Sequence, residues 1–197
     1  MPTGFRPSRR LVVMAGAGTA ALAAMGGVAL GWPPLSRSGL PDPADPRTTM
    51  DAVERAVARL LPVPEITGAE LSRRLAAGER VVLLDVREDE EYAQSRIPGA
   101  LRLPPGASAE SVLAEHGARM GGATVVFYCA VGWRASQMVQ GIRQAAAQAP
   151  AAALFNLRGG LFRWHAEARP LEFGPGASGV HPFDTAWGRL LRRMTGG

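Results

Sequence analysis

Short apolar segments alternate with helical segments along most of this 197-residue chain, and this alternation restricts its fold more than any other feature. The segment from Val81 to Val86 is apolar apart from Asp85, a pattern typical of a strand that is buried on both faces. The segment from Thr124 to Tyr128 is β-branched and aromatic, which also favours a strand. Strands separated by helices at this spacing predict an α/β fold with a parallel sheet and helices on both faces.

The predicted elements follow one another from residue 63 onward. Strands are predicted at Val63–Ile66, Val81–Val86, Ala100–Leu103, Thr124–Tyr128 and Leu154–Leu157. Helices are predicted at Ala69–Ala77, Glu88–Ser95, Ser108–His116, Arg134–Gln148 and Leu161–Ala168. Ligands of such sheets bind at the carboxyl ends of the strands. We therefore expect a site in the loops that follow Asp85, Leu103, Tyr128 or Leu157.

The amino terminus carries the pattern of an export signal. Three arginines in the first ten residues precede 26 residues without a formal charge, from Leu11 to Ser36. This length is enough to cross a bilayer. The basic residues before the apolar segment would hold the amino terminus in the cytoplasm. Ser8 to Val13 resembles the twin-arginine signal, and Ala29 to Gly31 offers a cleavage site. Residues 1–32 are thus expected to be a cleaved signal or a retained membrane anchor, with the protein periplasmic or attached to the outer face of the cytoplasmic membrane.

The remaining segments flank the predicted sheet domain, residues 63–172. Residues 33–48 are rich in proline and predict an extended linker. Residues 49–62 place apolar side chains at helical spacing and predict an amphipathic helix that packs on the domain. Residues 173–197 form a carboxyl-terminal extension whose aromatic side chains predict a segment packed back on the domain. A membrane-surface or partner-binding helix is the alternative, because Trp187 is followed by three arginines.

The net charge of +5 does not indicate nucleic-acid binding. All 22 basic residues are arginine, against 17 acidic residues, and removal of the first ten residues leaves 19 − 17 = +2. The other arginines are interleaved with acids, as on an ordinary solvated surface. The three histidines are far apart in the sequence, so neither a metal site nor a cofactor is predicted.

The single cysteine, Cys129, lies between the predicted strand Thr124–Tyr128 and the start of a helix. The unpaired N–H groups and the dipole at a helix amino terminus stabilise a thiolate in this position. Arg134 adds a cation, and Gly132 permits a tight curve that turns successive N–H groups inward as an anion-binding nest. The context favours a nucleophilic thiolate over a buried core cysteine.

A thiolate surrounded by amide donors is suited to two reactions, attack on a phosphate ester or capture of a sulfane sulfur as a persulfide. Phosphatases of this general type carry the motif C-x5-R, in which five residues separate the cysteine from the arginine. Here only four residues separate Cys129 from Arg134. The shorter loop forms a smaller ring of N–H donors, which fits one terminal sulfur better than a tetrahedral phosphate. A phosphatase or arsenate reductase is therefore the less favoured alternative.

Four segments in register resemble a single-domain rhodanese over about residues 64–171. They are Val81–Arg87, Glu91-Tyr92 with Arg96–Ala100, Tyr128–Arg134, and Asn156–Gly160 with Trp164. The resemblance implies a three-layer α/β fold with a five-stranded parallel sheet and helices on both faces. It also implies sulfur transfer from thiosulfate or a similar donor to a thiophilic acceptor, such as cyanide or a thiol, through a Cys129 persulfide. The alternative is a persulfide carrier that delivers sulfur to a protein partner without such turnover.

The resemblance also assigns roles to individual residues. Cys129 is the nucleophile, and Arg134 orders the active loop or faces the substrate. Asp85 and Arg87 either brace the loop by ion pairs or form a structural salt-bridge network. Ala130 stands where the family often has a basic residue and Trp133 places a ring at the loop rim, so weaker thiosulfate binding and a larger or apolar donor are expected. The amides that hold the sulfur or the donor's oxygens are those of Ala130, Val131, Gly132, Trp133 and Arg134.

Overall fold

The computed structural model describes Met1, residues 39–145 and residues 153–196. Its helices are α1 (Met50–Leu60), α2 (Gly68–Ala76), α3 (Asp89–Gln94), α4 (Ala109–Met120), α5 (Trp133–Ala145), α6 (Gly160–Ala166) and α7 (Thr185–Thr195). Its strands are β1 (Glu65–Ile66), β2 (Val81–Asp85), β3 (Ser95–Arg96), β4 (Leu101–Arg102), β5 (Thr124–Tyr128), β6 (Ala153–Leu157) and β7 (Glu172–Phe173). None of these helices has both the length and the hydropathy to cross a bilayer. Apart from Met1, the export signal expected at residues 1–32 lies outside the described residues and stays a prediction.

A five-stranded parallel sheet forms the centre of the fold, in the order β1-β6-β5-β2-β4. Strand β2 pairs with β5 from Val81 opposite Thr124 to Asp85 opposite Tyr128. The carboxyl ends of both strands therefore lie side by side at one edge of the sheet. The predicted α/β fold is confirmed. A short antiparallel pair, β3 with β7, was not predicted, because two-residue strands leave no readable alternation.

The sheet separates two hydrophobic cores. Leu83 and Val126 belong to the core that contains buried residues of α1, α2, α6 and α7. Leu84 and Phe127, their neighbours along the strands, belong to the core formed with α4 and α5. Successive strand residues point to opposite faces, so β2 and β5 supply both cores at once. This explains the nearly continuous apolar runs and confirms helices on both faces.

Several predicted helix ends differ from the structure, and the differences at α4 and α3 have a clear cause. Helix α4 continues past His116 to Met120, because Met120 is buried and extends the contact with the core. The helix predicted at Glu88–Ser95 is shorter, since Glu88 only caps α3 and Ser95 begins β3.

The carboxyl-terminal extension packs back on the domain, as predicted. Trp187, Leu190 and Leu191 of α7 lie in the same core as α1 and α6. The Arg193 guanidinium donates hydrogen bonds to main-chain carbonyls of the segment before α1, those of Pro43, Asp45 and Thr48, at 3.1, 3.2 and 3.3 Å. The apolar face of α7 is thus covered by the protein itself, which contradicts the alternative of a free membrane-surface helix.

Candidate active site

Cys129 lies at the junction predicted from the sequence, directly after β5 and four residues before α5. The loop that it opens, residues 129–134, is called the cysteine loop below. Cys129 is only 1% exposed. Ala130, Val131 and Trp133 are also buried, so Trp133 does not stand at an open rim as expected but forms part of an internal wall.

The cysteine loop leaves a row of amide donors unused. Among the described residues, no acceptor receives a hydrogen bond from the N–H of any residue from 130 to 134. Gly132 has a φ of +92°, and a Cβ at this position would lie 3.0 Å from the Asn156 side-chain nitrogen. Glycine therefore provides the left-handed curve that this loop requires. Free N–H groups before a helix amino terminus favour an anion.

Helix α6 fixes the orientation of the first two peptide groups of the cysteine loop. The N–H of Leu161 donates to the carbonyl of Cys129 at 2.8 Å, and the N–H of Phe162 donates to that of Ala130 at 3.0 Å. A trans peptide directs its N–H opposite to its C=O. The N–H groups of Ala130 and Val131 therefore point away from α6 and remain available to a ligand.

Gly160 allows this close approach of α6. Its φ is +56°, and a Cβ would lie 2.3 Å from the Cys129 carbonyl oxygen and 2.6 Å from that of Ala130. The sequence predicts only a tight turn at Gly159-Gly160. That turn is present, with both residues at positive φ, but its contact with the cysteine loop follows from the tertiary structure.

We expect Gly160→Ala to displace the cysteine loop as well as to destabilise the protein. A non-glycine residue at positive φ costs about 1–3 kcal/mol of unfolding free energy, and here the steric contact with two carbonyls adds to it. Gly78→Ala is the matched control, because Gly78 has a φ of +68° and no atom lies within 4 Å of the place that a Cβ would occupy. Urea unfolding should show a larger loss for Gly160→Ala, and only this variant should change the rate at which Cys129 reacts with iodoacetamide. Equal losses and unchanged reactivity would contradict the role of Gly160.

Arg134 binds a buried carboxylate, that of Glu91, which belongs to the acidic first turn of α3. Its Nη1 and Nη2 donate to Glu91 Oε2 and Oε1 at 2.7 and 2.9 Å, and Glu91 is 2% exposed. Burial alone would raise the pKa of Glu91, but the bond from Arg134 outweighs it and lowers that pKa. The one sequence signal for Glu91 is its place beside Tyr92 in the rhodanese-like motif.

The charge of Arg134 also acts on the thiol. Burial would lower the pKa of this guanidinium, but its bond to Glu91 and its interaction with Cys129 raise that pKa. Arg134 is therefore a permanent cation that both ties the cysteine loop to α3 and stands beside the sulfur. Its bond to Glu91 fits the predicted role in ordering the loop, and the predicted contact with the substrate stays a prediction.

Asp85 and Arg87 are fully buried, but they pair with each other and not with the cysteine loop. Arg87 Nε and Nη2 donate to Asp85 Oδ1 and Oδ2 at 2.8 and 2.7 Å, and Nη2 also donates to the Ser95 carbonyl. Of the two predicted arrangements, the described residues therefore show the structural salt-bridge network. Asp85 also interacts with Tyr128, the residue that precedes Cys129, and the Tyr128 hydroxyl accepts a hydrogen bond from the N–H of Ile97 at 3.1 Å. Burial raises the pKa of both Asp85 and Tyr128.

Cys129 faces a small pocket. The cysteine loop supplies one side of the pocket, and the other side comes from outside the predicted domain. Leu40 belongs to the linker, while Phe183 and Trp187 belong to the extension. The Arg134 guanidinium carbon lies 5.2 Å from the centroid of the Phe183 ring, within cation–π range. We call Leu40, Phe183 and Trp187 the roof. The sequence predicts that the extension packs back, but not that it reaches the thiol.

In the described parts of the chain, no group of three His, Cys, Asp or Glu side chains is arranged to hold a metal ion.

Comparison with known proteins places this site in a family. The family model "Rhodanese-like domain" matches residues 67–167. A sulfurtransferase of Allochromatium vinosum is 34% identical over 114 residues, which span 55% of this chain and 94% of that protein. The human single-domain sulfurtransferase TSTD1 aligns with 52% of this chain and 96% of its own, at 29% identity and a TM-score of 0.42. A thiosulfate sulfurtransferase from Pseudomonas aeruginosa aligns with 74% of this chain and 26% of its own, at 23% identity and a TM-score of 0.49.

The family match contains Cys129 and the whole cysteine loop, together with Asp85, Arg87 and Glu91. The three roof residues lie outside it. The chain belongs to the rhodanese-like domain family.

Proposed function

We propose that the protein is a sulfurtransferase that takes a sulfane sulfur from thiosulfate or a similar donor and passes it to a thiophilic acceptor. The observation that carries this proposal is the position of the lone thiol, which opens a loop of free N–H groups beside the cation Arg134. A persulfide is an anion whose terminal sulfur needs such donors. The A. vinosum relative, named a sulfurtransferase, supports the same reaction class.

The reaction proceeds in two displacements at sulfur. The Cys129 thiolate attacks the sulfane sulfur of thiosulfate, whose S–S bond breaks, and sulfite leaves with the bonding electron pair. A persulfide anion remains on Cys129, where the amides of the cysteine loop and Arg134 stabilise its charge. Cyanide or a thiolate then attacks the outer sulfur and the Cys129 thiolate leaves. One cysteine is sufficient for this cycle, and the chain contains one.

The burial of Cys129 supports turnover with small molecules over delivery to a protein partner. A thiol on a folded protein would have to reach a sulfur that is 1% exposed beneath the roof. A small acceptor needs a much smaller opening. The spacing of Cys129 and Arg134, four intervening residues, remains the argument against a phosphatase.

Mass spectrometry after incubation with thiosulfate tests the proposal. The peptide that contains Cys129 should gain about 32 Da, the mass of one sulfur atom, and should lose it again on addition of cyanide, with formation of thiocyanate. An adduct that forms without thiocyanate production would instead favour the persulfide carrier. Absence of any adduct, with thiosulfate and with organic sulfane donors alike, would refute the sulfurtransferase.

A further inference from the structure

The lining of the pocket at Cys129 is almost entirely apolar. Six of its side chains carry no charge: Leu40, Ala130, Val131, Trp133, Phe183 and Trp187. Among the described lining residues, Arg134 is the only charged one, and both of its terminal nitrogens are bonded to Glu91. Its guanidinium also lies against the ring of Phe183. Arg134 is already paired with Glu91, so the described lining of the pocket offers no further cation for a second negative charge on the donor.

A doubly charged donor is poorly matched to such a lining. Thiosulfate has to lose the water around its sulfonate oxygens on entry, and burial of a charge is costly unless a partner compensates it. The free N–H groups of the cysteine loop are needed by the sulfur that is transferred. The rest of the donor meets Leu40, Trp133, Phe183 and Trp187, which favour an apolar group.

The part of the roof that contains Phe183 and Trp187 is held in a defined conformation. Phe183 has a φ of +67°, a conformation that is rare for a residue with a side chain, and its N–H donates to His181 Nδ1 at 3.1 Å. The next residue, Asp184, caps α7 by accepting a bond from the N–H of Trp187 at 2.9 Å. Such strain persists only where the surroundings hold it, and it is typical of functional positions. Here it places an aromatic ring against Arg134 and above the thiol pocket.

Resting on the proposed sulfur transfer, we propose that the preferred donor carries its sulfane sulfur on an apolar organic group, and that Phe183 and Trp187, with Leu40, bind this group. Phe183 is then a specificity-determining residue of the reaction. For an aryl thiosulfonate, the Cys129 thiolate attacks the terminal sulfur and the S–S bond breaks. The arylsulfinate leaves with the electron pair and the persulfide anion stays on Cys129. The bonds broken and formed are the same as in the thiosulfate reaction, but the aryl group replaces one oxide, so the donor and the leaving group each carry one negative charge fewer.

Three donors separate the effect of the apolar group from that of charge. Benzenethiosulfonate and methanethiosulfonate share one reacting group and one negative charge but differ in apolar size, and thiosulfate has two negative charges. Persulfide formation on the full-length protein is followed by mass spectrometry, and each rate is divided by the rate of free cysteine with the same donor. We expect the normalised rate with benzenethiosulfonate to exceed that with methanethiosulfonate by roughly tenfold or more, and thiosulfate to be the slowest.

Substitution of the roof should remove this preference. Phe183→Ala is expected to lower the ratio of the normalised rate with benzenethiosulfonate to that with methanethiosulfonate about fivefold or more. The reason is that the benzene ring of the donor loses its apolar contact with the Phe183 ring. Leu40→Ala removes a wall supplied by the other end of the chain and should lower the same ratio. Phe173→Ala is the matched control, because Phe173 is 44% exposed and does not line the pocket. Its ratios should equal those of the unsubstituted protein.

Two results would overturn the inference. One is a normalised rate that is highest with thiosulfate, and the other is a benzene to methane ratio that neither Phe183→Ala nor Leu40→Ala changes. Failure of the proposed function itself gives a different result, because no persulfide would then form with any of the three donors.

Discussion

Cys129→Ser is expected to abolish sulfur transfer, with a loss of about a thousandfold or more in thiocyanate formation. The serine hydroxyl is not ionised near neutral pH, and oxygen does not form the sulfur–sulfur bond on which the cycle depends. Cys129 is the single cysteine of the chain, so no second thiol can take over the sulfur. Few substitutions in this protein offer so clean a separation of chemistry from structure.

The fold should tolerate the same substitution. Serine is slightly smaller than cysteine, and the unused N–H groups of the cysteine loop can bond its hydroxyl. The unfolding free energy should therefore change by no more than about 1 kcal/mol, as measured by urea unfolding and checked by circular dichroism. Thiocyanate production that survives in Cys129→Ser would show that the sulfur is carried elsewhere, and a collapse of the fold would leave Cys129→Ala as the second test of the same loss.

Asp85→Ala is expected to cause the largest loss of stability. It leaves the Arg87 guanidinium, whose side chain is 0% exposed, without its carboxylate partner. Removal of one member of a buried ion pair costs about 3–5 kcal/mol of unfolding free energy, because the other charge stays desolvated and unpaired. This is a large part of the total stability of an ordinary domain. Urea unfolding of the variant measures the loss directly.

Two further variants test the cause of that loss. Asp89→Ala removes an aspartate that is 82% exposed and pairs with Arg102, and it should cost less than about 1 kcal/mol. Replacement of the whole pair, by Asp85→Leu with Arg87→Met, should recover most of the stability lost in Asp85→Ala, since an apolar pair needs no charge compensation. If Asp85→Ala is no more destabilised than Asp89→Ala, the pair does not hold the end of β2.

The parts of the fold that local patterns encode could be predicted from the sequence. Thr124–Tyr128 has the composition of a buried strand, and β5 has these same bounds. From these patterns, the position of Cys129 between that strand and a helix could also be predicted. The sequence from Glu88 to Glu91 is acidic throughout, and only the tertiary structure shows that the carboxylate of Glu91 turns inward to Arg134. Local patterns report which residues are acidic or apolar, but not which distant side chain each one meets.

The roof illustrates the same limit at longer range. Leu40 and Phe183 are separated by most of the chain, and neither lies in a segment with a regular pattern. They meet only because α1 and α7 share one core and Arg193 bonds the segment before α1. Similarly, Gly160 gives a turn signal in the sequence, whereas its approach to the Cys129 carbonyl depends on the packing of α6 against β5.

The walls of the pocket come from two parts of the protein, one inside and one outside the range matched by the family. The reacting thiol and its loop lie within residues 67–167, whereas Leu40, Phe183 and Trp187 lie outside this range. If the roof selects the donor, as we propose, a change in the flanking segments alone would alter which donor is accepted, without altering a residue of the rhodanese-like domain. Donor choice could then evolve in the flanking segments while the chemistry at Cys129 stays fixed.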